Sequence, residues 1–443
     1  MPALRRDLVD LTRLAGPVVV TRLGAMAMGL TDTVVVGRYS ATELGYMALG
    51  WAPTAVVMTT GMGLLSGVQV MTARRLGEGR PEAVGAVLRR GAAYALWIGL
   101  LASAVLAAIG PALLSASGVE ADLAAGAGRA LRVFALSLTG SLLATALSAW
   151  LEALARPGQA MLAMWAANAV NLALDLVLVP GGFGLPALGA VGSGWATLSA
   201  RFVWVAVLAV LAARIPEGRA LFRRPARDPT AEIEQRRIGY GAGAAFFVEA
   251  GAFSAMNVVA GWVGGLAVAG WAILLNVTAI VFMVPLGIAM AASVRVARAH
   301  GAEDWAGVRR AGLVGFALAG GIAALVSLAV WPGARAVAGA YSRDPALVAL
   351  TAGALALACL FFIADALQVV GSQILRACGD VWFSTAVQVA SYALVMLPLG
   401  WRLAVGARMG LEGIVWAVIV ASLMSAALLV ARFTWVARAA ASR

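Results

Sequence analysis

Four carboxylates, Asp32, Asp175, Glu249 and Asp365, lie deep inside long apolar runs. An ionised carboxylate at bilayer depth costs about 2.5–3.5 kcal/mol, so four cost on the order of 10–14 kcal/mol before partners offset it. The other acidic residues fall in expected loops or near helix ends, where water is close. A chain that only had to span a bilayer would do better with leucine. Ionisable groups kept at such depth mark ion or proton pathways.

The spacing around these acids points to cation handling. Asn168, Asn171 and Asp175 stand at i, i+3 and i+7, one face of a helix. Asp32, Asp175 and Thr197 all lie roughly five to eight residues from the expected external ends of their spans, in one layer. Two carboxylates, the Asn171 amide oxygen and a hydroxyl make an oxygen-rich set that suits Na+ or a proton. In the second half, Asp365, Gln368 and Ser372 repeat the i, i+3, i+7 pattern, Glu249 sits near mid-span, and Asn257 follows two turns later. Two blander alternatives stand beside this reading. The groups could serve as polar glue between helices, or the acids could pair with Arg22 or Arg201, the two arginines inside expected spans.

The elements that must position these groups are transmembrane helices. The chain has 443 residues, 62% hydrophobic and 12% charged, which excludes an ordinary soluble domain. Twelve segments reach the length of about 20 apolar residues that a span needs, the first near 12–37 and the last near 411–434. The expected fold is all-α, with twelve transmembrane helices in two pseudo-symmetric six-helix lobes around a central cavity. The N-lobe is expected over 1–213, a cytoplasmic linker over 214–236 and the C-lobe over 237–443. No lysine occurs, so all 33 basic residues are arginine. Placing both termini in the cytoplasm puts about 24 arginines inside and about 7 outside, as the positive-inside rule requires. That distribution explains the net charge of +12 without nucleic acid as a partner.

A duplication underlies the two lobes. The run 63-GLLSGVQVMTARRLG-77 matches 287-GIAMAASVRVARAHG-301 at a constant offset of 224 residues. The same offset matches Val34, Val35 and Gly37 with Val258, Val259 and Gly261. The acids break the repeat: Asp32 aligns with Met256, Glu249 with Ala25 and Asp365 with Ser141. Each lobe therefore carries its own chemistry on a shared frame. Prolines 17, 53, 285 and 398 lie inside spans, and each removes a helical hydrogen bond. Pro17 precedes Asp32 on one helix, so a bend there would couple to that acid.

Catalysis has little to draw on. His300, the only histidine, is expected at a helix end, and no nucleophile elbow, metal-ligand spacing or phosphate loop is visible. No cofactor is expected beyond the coupling ion.

The stretches 17-PVVVTRLGAMAMGLTDTVVVGRYSATELG-45, 282-FMVPLGIAMAASVRVARAHG-301 and 375-LRACGD-380 resemble, in order, signatures of the MATE (multidrug and toxic compound extrusion) transporters, nearest the NorM-type branch. The resemblance implies a secondary antiporter that exports organic, often cationic, compounds in exchange for Na+ or H+ by alternating access. It implies cation coupling at Asp32, Asn171, Asp175 and Thr197 in the N-lobe and at Glu249 and Asp365 in the C-lobe. Asn168, Asn257, Asn276, Gln368 and Arg22 are candidate supporting residues. This chain departs from the family's pattern at Arg22, where relatives carry a small or polar residue, and at Trp271 and Ala272, where a His-Gln pair is common ahead of the asparagine that is Asn276 here. A third departure is Phe361, which stands where some Na+-dependent relatives have tyrosine. A monomer in a bacterial inner membrane, with lipid and a small-molecule substrate as partners, is expected. The alternatives are a flippase or exporter of a lipid-linked or polar metabolite in the same superfamily, and a non-transporting membrane receptor or scaffold.

Overall fold

The computed structural model describes residues 2–116, 118–182, 184–222 and 228–441, so the middle of the expected linker, 223–227, lies outside the described residues. The described chain is helical, with one isolated bridge between Gly182 and Leu185 and no sheet. Twelve helical stretches in it are long and apolar enough to cross a membrane. Large apolar side chains such as Trp97, Leu325 and Leu394 point outward, at 72%, 66% and 70% exposure. In water that surface would be costly, and in lipid it is the solvated face. The protein is a multi-pass membrane protein.

In chain order the helices are α1 (Pro2–Tyr39), α2 (Ala41–Leu64), α3 (Ser66–Gly77), α4 (Val84–Ala116), α5 (Ala121–Ala153), α6 (Pro157–Leu178) and α7 (Gly189–Ala213). The second half has α8 (Pro229–Val263), α9 (Gly265–Gly301), α10 (Trp305–Tyr341), α11 (Pro345–Ala377), α12 (Val381–Gln388), α13 (Leu397–Trp401) and α14 (Gly410–Ala441). One span is α2 continued by α3, and another is α12 and α13 interleaved with π-helical turns at Val389–Met396 and Arg402–Gly406. Local signals set several starts: Ser40 accepts from the Glu43 amide, Asp344 from the Ala346 amide, and Pro157 and Pro345 occupy first turns. Helices α1, α2 and α9 continue through Pro17, Pro53 and Pro285.

The chain packs as two compact units, one of residues 20–243 and one of residues 1–19 with 244–443. The seams, 19/20 and 243/244, are 224 residues apart, the period of the repeat. These packing units differ from the sequence-based lobes at the starts of α1 and α8. The first part of α8 packs in the unit of the first half, where the Arg74 guanidinium pairs with Glu234 and the Gln235 amide donates to Val87 O over 3.3 Å. The first part of α1 packs in the other unit, where Arg295 pairs with Asp7 and a Cβ on Gly287 would stand 2.9 Å from the Val19 backbone nitrogen. Within unit 20–243, α5 is the innermost helix, and Gly50 lets α2 approach so closely that a Cβ there would lie 2.8 Å from Ala127 O.

Candidate ion-coupling sites

In unit 20–243 the site grows from α1, α6 and α7. Asn168 holds α6 against α1, its amide donating to Gly24 O at 3.1 Å and to Met164 O at 3.0 Å. The α6–α7 connection closes through Gly189 N to Val179 O at 3.1 Å, and the Ala190 amide donates to Glu43 Oε2 at 2.7 Å, which fixes the start of α7. Two turns into α7, Thr197 Oγ1 donates to Asp32 Oδ2 at 2.9 Å. Asn171 and Asp175 on α6 face the Asp32 carboxylate at interaction range, and Ser193 faces Asp175. All four expected N-lobe residues are buried, Asn171 and Asp175 completely. Even so, Asp32 Oδ1, both Asp175 carboxylate oxygens and both polar atoms of the Asn171 amide lack a hydrogen-bond partner. Arg201, buried and stacked 5.6 Å from the Trp204 ring centroid, interacts electrostatically with Asp32.

Buried polar oxygens without partners are costly. Two carboxylates facing each other away from water cannot both stay charged unless a cation or a proton joins them. The free oxygens here are of the kind a hard cation or a shared proton takes.

In unit 1–19 with 244–443 the acids are Glu249 on α8 and Asp365 on α11. Gln368, one turn after Asp365, donates from Nε2 to Asp365 Oδ1 at 3.0 Å and to Glu249 Oε1 at 3.4 Å. Its own oxygen accepts from Gln388 Nε2 at 3.2 Å, and Gln388 Oε1 accepts from Arg376 Nη2 at 2.9 Å. Tyr392 lies in electrostatic range of both acids and its hydroxyl meets Ser422 at 3.5 Å. Ser372 bonds back to Val369 O in its own helix. One turn from the acids is a small aromatic recess of about 10 Å³, room for about one water, lined by Phe253, Trp271, Phe361, Thr278 and aliphatic neighbours. Phe253 follows Glu249 by one turn and Phe361 precedes Asp365 by one turn. Phe253 and Trp271 are stacked with centroids 6.4 Å apart.

The structure thus joins Asp32 with Thr197, Asn171 and Asp175, and Glu249 with Asp365 and Gln368. Asn257 bonds to Ser254 O, and Asn276 accepts from the Tyr341 hydroxyl at 2.8 Å; both are exposed. Arg22 pairs with none of the four acids. Its Nη2 lies 3.3 Å from Glu152 Oε1, and Gln69 Nε2 donates to Glu152 Oε2 at 3.2 Å. Glu152, 1% exposed, is a further buried carboxylate that sequence reasoning missed because it stands at the end of α5, where solvent is expected. Arg376, Gln388 and Tyr392 were missed as well.

Two helical units, each built around buried carboxylates within an apolar membrane core, are the plan of a secondary transporter and not of an enzyme. The MatE family pattern matches residues 17–177 and 242–402, one match in each half of the chain. The chain is 53% identical to a probable multidrug resistance protein NorM of Caulobacter vibrioides, over 96% of this chain and 91% of that one. It is 35% identical to a probable multidrug resistance protein NorM of Bradyrhizobium diazoefficiens, over 98% and 95%. Among solved structures, the eukaryotic MATE transporter AtDTX14 superposes with a TM-score of 0.89 at 21% identity, covering 99% of this chain and 98% of that one. An outward-facing multidrug resistance MATE transporter superposes at 0.90 with 18% identity, covering 99% and 97%. The chain belongs to the MatE family, and it is a secondary transporter that moves small molecules by alternating access.

Proposed function

We propose that the protein is an antiporter that expels organic cations in exchange for Na+ or H+, with Asp32, Asn171, Asp175 and Thr197 as one coupling site and Glu249 and Asp365 as the other. The observation that carries this reading is the set of unpartnered oxygens on Asp32, Asn171 and Asp175. They are buried where only a cation or a proton offsets their cost. Binding there competes, through a change of conformation, with substrate held elsewhere in the transporter.

Phe253 and Phe361, one helical turn from Glu249 and Asp365, support an organic cation as substrate, because ring faces and carboxylates together attract a flat cation. The two curated relatives above are described as multidrug resistance proteins, which agrees with that substrate class. The arginine distribution supports both termini in the cytoplasm of a bacterial inner membrane, and a monomer suffices for this mechanism.

The test is ethidium efflux from proteoliposomes under a Na+ gradient or a pH gradient imposed separately. The reading requires efflux driven by one of the two gradients and its loss in Asp32→Asn. Correctly inserted wild type without gradient-driven efflux would overturn it.

A further inference from the structure

We propose that Arg376 is a positioning residue for the Glu249–Asp365 pair, acting through Gln388 and Gln368 as a built-in counter-charge. It lets the pair hold one negative charge in the membrane, so that the pair exchanges one cation or proton. The inference rests on the antiport reading and deepens it.

Arg376 is 1% exposed, although it sits in the last turn of α11. A guanidinium held out of water needs compensation. Part of it comes from the carbonyl end of its own helix and part from the Phe246 ring, whose centroid lies 5.7 Å from Cζ. Neither is a carboxylate. Among the described residues the one side chain it bonds is Gln388, and its Nε and Nη1 have no hydrogen-bond partner.

From Gln388 the chain of hydrogen bonds runs in one direction. Each amide accepts on the side of Arg376 and donates on the side of the acids, ending on Asp365 Oδ1 and Glu249 Oε1. Bonds aligned this way polarise one another and carry the influence of a charge further than a bare gap of the same length. Asp365, Gln368, Ser372 and Arg376 stand at i, i+3, i+7 and i+11 on α11, so one helix face bears both ends of the relay. Gln388 is the last residue of α12 before the π-helical turn Val389–Met396. Segments of π-helix within α-helical spans gather at functional sites, and this one, eight residues long, also carries Tyr392. Facing the acids are Arg376 on α11 and Tyr392 on the π turn. Among the described residues α9, α10 and α14 bring them no charged group.

Two carboxylates with one fixed guanidinium leave a single negative charge to be neutralised. Without the guanidinium, two would need neutralising.

The test uses purified full-length protein in detergent and reads its thermal unfolding temperature across neutral pH. Titration of buried acids appears there as an inflection, and the readout does not depend on transport. Arg376→Gln removes the counter-charge, and its inflection is expected to move by about one pH unit to the alkaline side, because loss of a nearby cation favours protonated acids. Arg376→Lys keeps the charge and stays close to wild type. Gln388→Leu keeps the charge but cuts the relay, and shifts in the same direction by less. If Arg376→Gln fails to fold, Gln388→Leu decides alone. An inflection unmoved in a folded Arg376→Gln or Gln388→Leu would overturn the proposal, as would equal destabilisation of all three variants with no shift. Absence of ion-driven ethidium efflux in wild type would instead sink the antiport reading, so the two failures are distinguishable.

Discussion

In the first half of the chain Glu152 is buried against Arg22; in the second half, 224 positions on, Arg376 is buried against Phe246. Arg22 and Phe246 are themselves 224 residues apart, so the same two positions of the repeat meet in both units. The frame kept the meeting and exchanged its chemistry. In unit 20–243 the contact is an ion pair closed by Gln69, neutral in itself, which leaves Asp32 to face Arg201. In the other unit the contact is a cation over a ring, and the unspent positive charge is directed to Glu249 and Asp365 through two glutamines. A duplicated helical frame therefore constrains where side chains meet far more than what charge they carry.

The largest expected effect that would sharpen this comparison is on coupling. Asp32→Asn should reduce gradient-driven ethidium efflux by about 100-fold, and Glu249→Gln by about tenfold, within the range of ordinary coupling energies. The reverse order would make the Glu249 site the dominant one. Next is the ion pair. Glu152→Gln strands Arg22 in the interior and should cost about 3–5 kcal/mol in a denaturant titration. Replacing both, as Arg22→Met with Glu152→Met, should cost clearly less, because no uncompensated charge remains. A single variant as stable as wild type would mean that the pair is hydrated.

A smaller effect tests close packing. Gly50 corresponds to Leu274, which lines the aromatic recess in its own unit. Gly50→Ala forces α2 and α5 apart and should cost about 1–3 kcal/mol. Smallest is Phe246→Leu, which removes the ring beneath Arg376 for about 1 kcal/mol. If Phe246→Leu proved as damaging as Glu152→Gln, the ring contact and the ion pair would not differ as described.

The twelve spans were legible because apolar length is a property of single segments. Asp32, Asp175, Glu249 and Asp365 stood out by depth alone. Depth and helix phase also brought Thr197 to Asp32. Glu152 and Arg376 escaped notice because helix ends ordinarily meet water, and nothing local marks the last turns of α5 and α11 as buried. Gln388 escaped because its partners come from α11, a pairing that sequence spacing on α12 does not contain. The break at Leu65 and the π turn at Val389–Met396 lack glycine or proline inside them, the usual punctuation of a helix. The π turn became visible only once its tertiary setting was.

The exchanged helix starts have a consequence during synthesis. Asp7 leaves the ribosome 288 residues ahead of Arg295, the arginine it pairs with. At about 5–20 residues per second the wait is roughly 15–60 s. Throughout that time α1 is in the chain with its leading end unpaired, and unit 20–243 remains incomplete until the start of α8 has been made. Unit 20–243 can close once residue 243 has been made, whereas the other unit must hold residues 1–19 in waiting for 244–443, so a ribosome stalled near residue 213 would leave both units unfinished.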